Sequence, residues 1–167
     1  MKKFTPLAKG LFTGIAMLLF SFALYYLKWY RYNGLGYLVY VIYAAGIIWT
    51  LIEHSQMAQF TGKFQELFAQ GFRCFIIVTL IMVIYTAVFS LTHPQMAEEN
   101  AIHYREYLIK EEKSKTPAEV EETVANFKKR FTTQQVSSSI FGTLIIGAIF
   151  TLAGAGFIML RRNNPWT

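Results

Sequence analysis

A chain of 167 residues has the length of a single domain, but 54% hydrophobic and 17% aromatic residues set it apart from ordinary soluble proteins. The formal charge of +6 is unevenly spread: residues 92–135 carry eight of the ten acids against seven cations, while the remainder carries nine cations against only Glu53 and Glu66. Those nine cations stand almost entirely at the ends of apolar runs, not along a stripe interleaved with aromatics, which argues for membrane orientation and against a nucleic-acid partner; the single cysteine, Cys74, excludes an intrachain disulfide framework.

Four runs reach the roughly 20 apolar residues that a bilayer demands of a helix. The first, about 10–27, opens behind Lys2, Lys3 and Lys9 and closes at Lys28-Trp29-Tyr30-Arg31. A basic start before an apolar run also describes a signal peptide, but the run continues past Ser21-Phe22-Ala23 to Leu27 and reads as a span. Gly10 and Gly14 are spaced for close helix packing. The short connection 30–34 joins this span to the second, about 35–52, as an antiparallel hairpin. Tyr37, Tyr40 and Tyr43 recur along one flank of the second span and read as aromatic belt and packing residues.

Between the second and third spans, Phe60, Phe64, Phe68 and Phe72 fall every four residues, with Lys63, Glu66, Gln70 and Arg73 around the rest of the circumference. That division predicts an interfacial helix over 60–72 that then bends into the membrane; an early start of the third span is the alternative. The third span, about 72–91, is the most apolar part of the chain.

Residues 92–135 are the one segment long and polar enough to live in water. Two helix starts carry the same signal, Thr92 with Gln95 and Thr116 with Glu119, each a capping box, and Pro117 suits the first helical position. Ala97, Ala101, Tyr104 and Leu108 lie on one helical face, and Val120, Val124, Phe127 and Phe131 repeat the intervals. Folding back at Ser114 sets Ala97 against Phe131, Ala101 against Phe127, Tyr104 against Val124 and Leu108 against Val120. The expectation is an extracytoplasmic antiparallel helical hairpin with Ile102 and Ile109 on its flank, available to a partner; its rival is a second helix lying flat on the bilayer.

The fourth span, about 136–160, is built differently. Ser139, Thr143, Gly147, Thr151 and Ala155 form one continuous ridge of small side chains, which lets another helix backbone approach closely. Arg161-Arg162 then stop the span at a membrane face. Counting cations in the short flanks places both termini in the cytoplasm, with Lys2, Lys3, Lys9, Lys63, Arg73, Arg161 and Arg162 inside.

The run FTGKFQELFAQGF, a very apolar span, Pro94 just beyond it, a Glu/Lys-rich helix restarting at Thr116-Pro117-Ala118-Glu119, and a Gly/Ala-rich last span ending in Arg161-Arg162 follow one another. This order resembles the domain-of-unknown-function 4199 family of small membrane proteins from Gram-negative bacteria, most clearly from Phe60 to Arg162. The resemblance implies four transmembrane helices and an inner-membrane location, brings no catalytic or binding residue with it, and points to a membrane-associated family 2 glycosyltransferase as a partner.

Chemistry-bearing constellations are few. Glu99 and His103 share a helix face at metal-ligand spacing, with His93 and Glu98 nearby, but a zinc site wants three convergent ligands and none is expected. Glu53-His54 reads as a solvated interfacial pair, because adjacent helical residues do not face each other. No Ser/His/Asp set or glycine-rich phosphate loop is visible and the chain contains no aspartate, so neither catalysis nor a cofactor is expected. The four runs hold ionisable residues only at their ends, which disfavours ion or proton transport. The resulting expectation is an all-α integral membrane protein of one membrane domain with a hairpin between spans three and four, acting as a non-catalytic accessory or scaffold subunit beside another membrane protein and membrane lipid. The competing class is a small homo-oligomeric channel or a solute or lipid carrier.

Overall fold

The computed structural model describes residues 4–27, 35–111 and 116–163, the side chain of Asn163 excepted. Among the described residues the chain is helical without strands: α1 (Pro6–Tyr26), a 3₁₀ turn (Leu35–Tyr37), α2 (Leu38–Ser55), α3 (Phe64–Thr92), α4 (Gln95–Glu111) and α5 (Pro117–Asn163). Four of these stretches are long and apolar enough to cross a membrane, namely Pro6–Tyr26, Leu35–Ser55, Phe64–Thr92 and the part of α5 that ends at Arg162.

Two compact units divide the chain. The first comprises the chain up to Met82 together with the part from Ile140 onward, and the second is Val83–Ser139. In the first unit, α1 begins where Thr5 accepts a hydrogen bond from the Ala8 N–H (3.2 Å) and Pro6 occupies the first turn, where its missing N–H costs nothing. The core is small at its crossings. A β-carbon on Gly10 would lie 2.6 Å from the Cys74 carbonyl oxygen, and one on Gly14 would lie 2.5 Å from Ile81 Cδ1. Gly46 on α2 meets Thr13 of α1, and Gly71 on α3 meets Thr151 of α5. Gly147 takes the Tyr43 hydroxyl and the Phe75 ring against its backbone. Along α5 the residues Thr143, Gly147, Thr151 and Ala155 are all buried, whereas Phe141, Ile145, Ile149, Phe157 and Leu160 face outward.

In the second unit α4 and the N-terminal part of α5 run antiparallel. Tyr104 stacks on Phe127 with ring centroids 4.7 Å apart, Phe127 meets Phe131 edge-on at 5.9 Å, and Ala101, Leu108, Val120 and Phe131 are buried. Ala97 and Val124 are half-buried on the same side. Arg105 Nε donates to Glu121 Oε1 (2.7 Å), and Lys128 pairs with Glu98 (2.6 Å). Tyr104 thus sits beside Phe127, where the sequence register paired it with Val124; a side chain in an antiparallel helix pair inserts between positions of the facing helix, so it reaches a neighbour one turn away. The turn expected at Ser114 lies outside the described residues.

Three sequence expectations are corrected. The residues 60–72 do not form a separate interfacial helix: Phe60 lies in the connection, and α3 runs unbroken for 29 residues from Phe64, with Phe64, Phe68 and Phe72 laddered at 6.3 Å between successive rings. Thr92 does not open α4. Its hydroxyl donates back to the Val88 carbonyl (2.9 Å), closing α3, and α4 begins after Pro94. Lastly, the hairpin's second helix and the fourth span are one helix of 47 residues; no glycine or proline between 118 and 141 interrupts it, so nothing breaks its hydrogen-bond ladder. At Thr116 the capping box is present, with Glu119 Oε2 accepting from the Thr116 N–H (2.7 Å) and hydroxyl (2.9 Å).

Replacing Gly147 by Leu must displace Tyr43 and Phe75, an overpacking that costs roughly 1–3 kcal/mol. Gly147→Leu is therefore expected to lower the thermal transition of the detergent-solubilised protein. Gly142→Leu, at a site with nothing within 4 Å, leaves it within error; equal transitions for the two variants would refute the close crossing.

Candidate functional site

Polar side chains of the first unit gather at one end of its helices, where α1 starts, α2 stops and α3 starts. Lys9 falls one turn inside α1 because Thr5 and Pro6 set the helix start, and that places it against α2. It is 2% exposed. Its ammonium lies 2.6 Å from Glu53 Oε2 and 5.3 Å from the centre of the Trp49 ring. Glu53 and Trp49 are four residues apart on α2, so both reach the same neighbour. A buried cation is tolerable only when paired, and here carboxylate and ring face share the task.

The next residue, His54, turns the other way. Its Nε2 donates to Glu66 Oε1 (2.8 Å), and Glu66 Oε2 accepts from the Thr61 N–H (3.0 Å) and hydroxyl (2.7 Å). Three donors on one carboxylate tie the α2–α3 connection to the first turn of α3. Phe60 packs edge-on against the His54 ring at 5.7 Å, and the Arg162 guanidinium lies over the Phe60 ring at 5.0 Å. Lys9, Thr50, His54 and Gln70 converge on a cavity of about 330 Å³. Glu53-His54 is thus not a solvated pair: each residue is committed to its own partner, on α1 and on α3, and His54 is 8% exposed.

Further along the same interior, the Tyr43 hydroxyl donates to the Thr143 carbonyl (3.0 Å), and the Thr50 hydroxyl donates to the Gly46 carbonyl (2.9 Å). The three tyrosines do not share one environment. Tyr37 is 74% exposed, Tyr40 is exposed and Tyr43 is fully buried. A three-residue step falls about 60° short of a full helical turn, so Tyr43 has rotated into the core.

The other residues singled out in the sequence take these places. Gly10 and Gly14 lie against α3. Thr143, Gly147, Thr151 and Ala155 lie in the first unit's core, while Ser139, in the second unit, accepts from the Thr86 hydroxyl (3.3 Å). Ile102 and Ile109 are each more than half exposed on α4. Glu99 and His103 are exposed, and among the described residues no three His, Cys, Asp or Glu side chains converge for a metal. Sequence reasoning passed over Lys9, counted only as an orienting cation; its signal was the Thr5-Pro6 helix start four residues earlier.

A family model described as "Protein of unknown function (DUF4199)" matches residues 9–159. No curated protein and no solved structure matches the chain.

Removing one member of the Lys9–Glu53 pair strands the other, which typically costs about 3–5 kcal/mol for a buried pair. Lys9→Met and Glu53→Gln are each expected to lower the unfolding midpoint strongly, and the double variant to recover part of the loss. Strict additivity in that cycle would show that the two side chains are not coupled.

Proposed function

The chain belongs to the DUF4199 family, and from that premise we propose that it is a non-catalytic accessory or scaffold subunit of a bacterial inner-membrane complex. The observation that carries this reading is how the polar chemistry of the molecule is used. Lys9, Glu53, His54, Glu66 and Tyr43 are each bonded to another part of the chain, so the groups that could act on a substrate serve instead to hold helices together. Apolar side chains outside the candidate spans are left over at the same time. Ile102 and Ile109 lie two turns apart on one face of α4, exposed on a helix of mostly polar surface.

A partner resting on α4 covers that face. The partner class suggested by the family resemblance is a lipid-linked sugar glycosyltransferase of family 2, held through the spans and through this face of the hairpin. Affinity purification of the full chain in mild detergent is expected to bring down one stoichiometric membrane protein. Ile102→Glu together with Ile109→Glu, on a face already solvated, leaves the fold intact and reduces that recovery at least tenfold. A lone symmetric oligomer would instead favour the channel or carrier class.

Cation distribution supports an orientation with both termini in the cytoplasm and residues 92–135 outside. A cysteine at position 114 in a Cys74-free background is expected to react with a membrane-impermeant maleimide in intact cells. Reaction only after the inner membrane is opened reverses the orientation.

A further inference from the structure

A second feature of the first unit takes no part in the internal pairing. Between α2 and the C-terminal part of α5 lies a groove of about 810 Å³. Its origin is local. The helices touch where Gly154 receives Leu51, since a β-carbon there would lie 2.8 Å from Leu51 Cδ1. Beside that contact α5 offers only Ala153 and Gly154, whereas Ile48, Ile52, Phe150 and Phe157 stand around them as apolar walls. These walls belong to two candidate spans, so the groove opens at acyl depth, where water does not fill it.

The mouth has the opposite character. Ser55 and Gln56 at the end of α2 and Arg161 and Arg162 at the end of α5 line it. Arg162 is held in place: its guanidinium stacks on Phe60, and Gly62, with φ +78°, passes so close that a β-carbon would lie 3.4 Å from Arg162 Cζ. Both arginines are exposed, and neither has an acidic partner among the described residues. From Phe150 to Arg162 the groove runs about 18 Å at 1.5 Å per residue. One leaflet of hydrocarbon is about 15 Å deep. A slot one leaflet deep, apolar along its length and doubly cationic at its interfacial end, is complementary to an amphiphile with one acyl tail inside and an anionic head at the rim.

We propose that the α2–α5 groove is a binding site for an anionic phospholipid, with an acyl chain between the helices and the phosphate at Arg161 and Arg162. This goes beyond the accessory reading and does not depend on the identity of any partner. A volume of this size is typical of a small-molecule ligand site. Free phosphate would leave the apolar walls uncovered, and a neutral lipid would leave both guanidinium groups without a counter-charge.

Native mass spectrometry of the full chain tests this, with phosphatidylglycerol and phosphatidylcholine of identical acyl composition as probes. The wild type is expected to retain phosphatidylglycerol with about tenfold to thirtyfold preference, the contribution of two interfacial arginines. R161Q/R162Q brings the two lipids to parity, and each single variant loses about fivefold. Ala153→Phe, which fills the groove from an exposed position, lowers retention of both lipids. Lys129→Gln, an equal loss of charge on the N-terminal part of α5, changes nothing. Equal retention of both lipids by the wild type, an undiminished preference in the arginine variants, or wild-type binding by Ala153→Phe each overturns the proposal. The single variants decide the matter if the double variant does not fold.

Discussion

The constraint on which the first unit rests is that helices in lipid gain nothing by hiding apolar surface from a solvent that is itself apolar. What remains is dispersion, which falls off steeply with distance, and the bonds made possible by proximity. Close approaches in this unit accordingly have a glycine on one side: Gly10 and Gly14 toward α3, Gly46 toward Thr13, Gly71 toward Thr151, Gly147 toward Tyr43 and Phe75, and Gly154 toward Leu51. In the part of α5 that belongs to the first unit, Phe141, Phe157 and Leu160 point outward while Thr143, Gly147, Thr151 and Ala155 are buried. Size, more than polarity, decides which face of this part of the helix is inside.

Close approach also explains how the interior accommodates hydroxyls and charges. The Tyr43 hydroxyl reaches the Thr143 carbonyl because Gly147, one turn further along α5, leaves room for the ring. Lys9 reaches Glu53 because the α1–α2 interface is pinned further in, at Thr13 one turn along α1 and at Gly46 two turns back along α2. Each polar contact presupposes a small residue nearby, and in turn favours one register among the many that smooth apolar helices allow.

The parts of this architecture that are set by a period or a composition could be read from the sequence. The four apolar runs, the small-residue ridge from Thr143 to Ala155 and the capping box at Thr116 all follow from residues close together in the chain. Features decided by distant partners could not. Lys9 looks like any flanking cation until Glu53 arrives from another helix, and Tyr43 looks like its exposed neighbours Tyr37 and Tyr40 until α5 covers it. Thr92 satisfies the spacing rule for a capping box, yet its hydroxyl finds the free carbonyls at the end of α3 first. The unbroken α5 was obscured because the change from polar to apolar composition near residue 136 resembles a boundary, although composition changes the surroundings of a helix without interrupting its backbone.

The buried Lys9–Glu53 pair bears on how the protein is made. A lone lysine costs about 3 kcal/mol at the centre of a membrane helix and less near its end, where Lys9 stands, and the carboxylate that pairs with Lys9 belongs to the next helix to leave the ribosome. Until α2 has been synthesised, α1 does best to keep Lys9 at the headgroups or to wait beside the insertion machinery. The first two helices thus have an energetic reason to be released into the bilayer as a pair, with the ion pair formed at the moment of their joint entry.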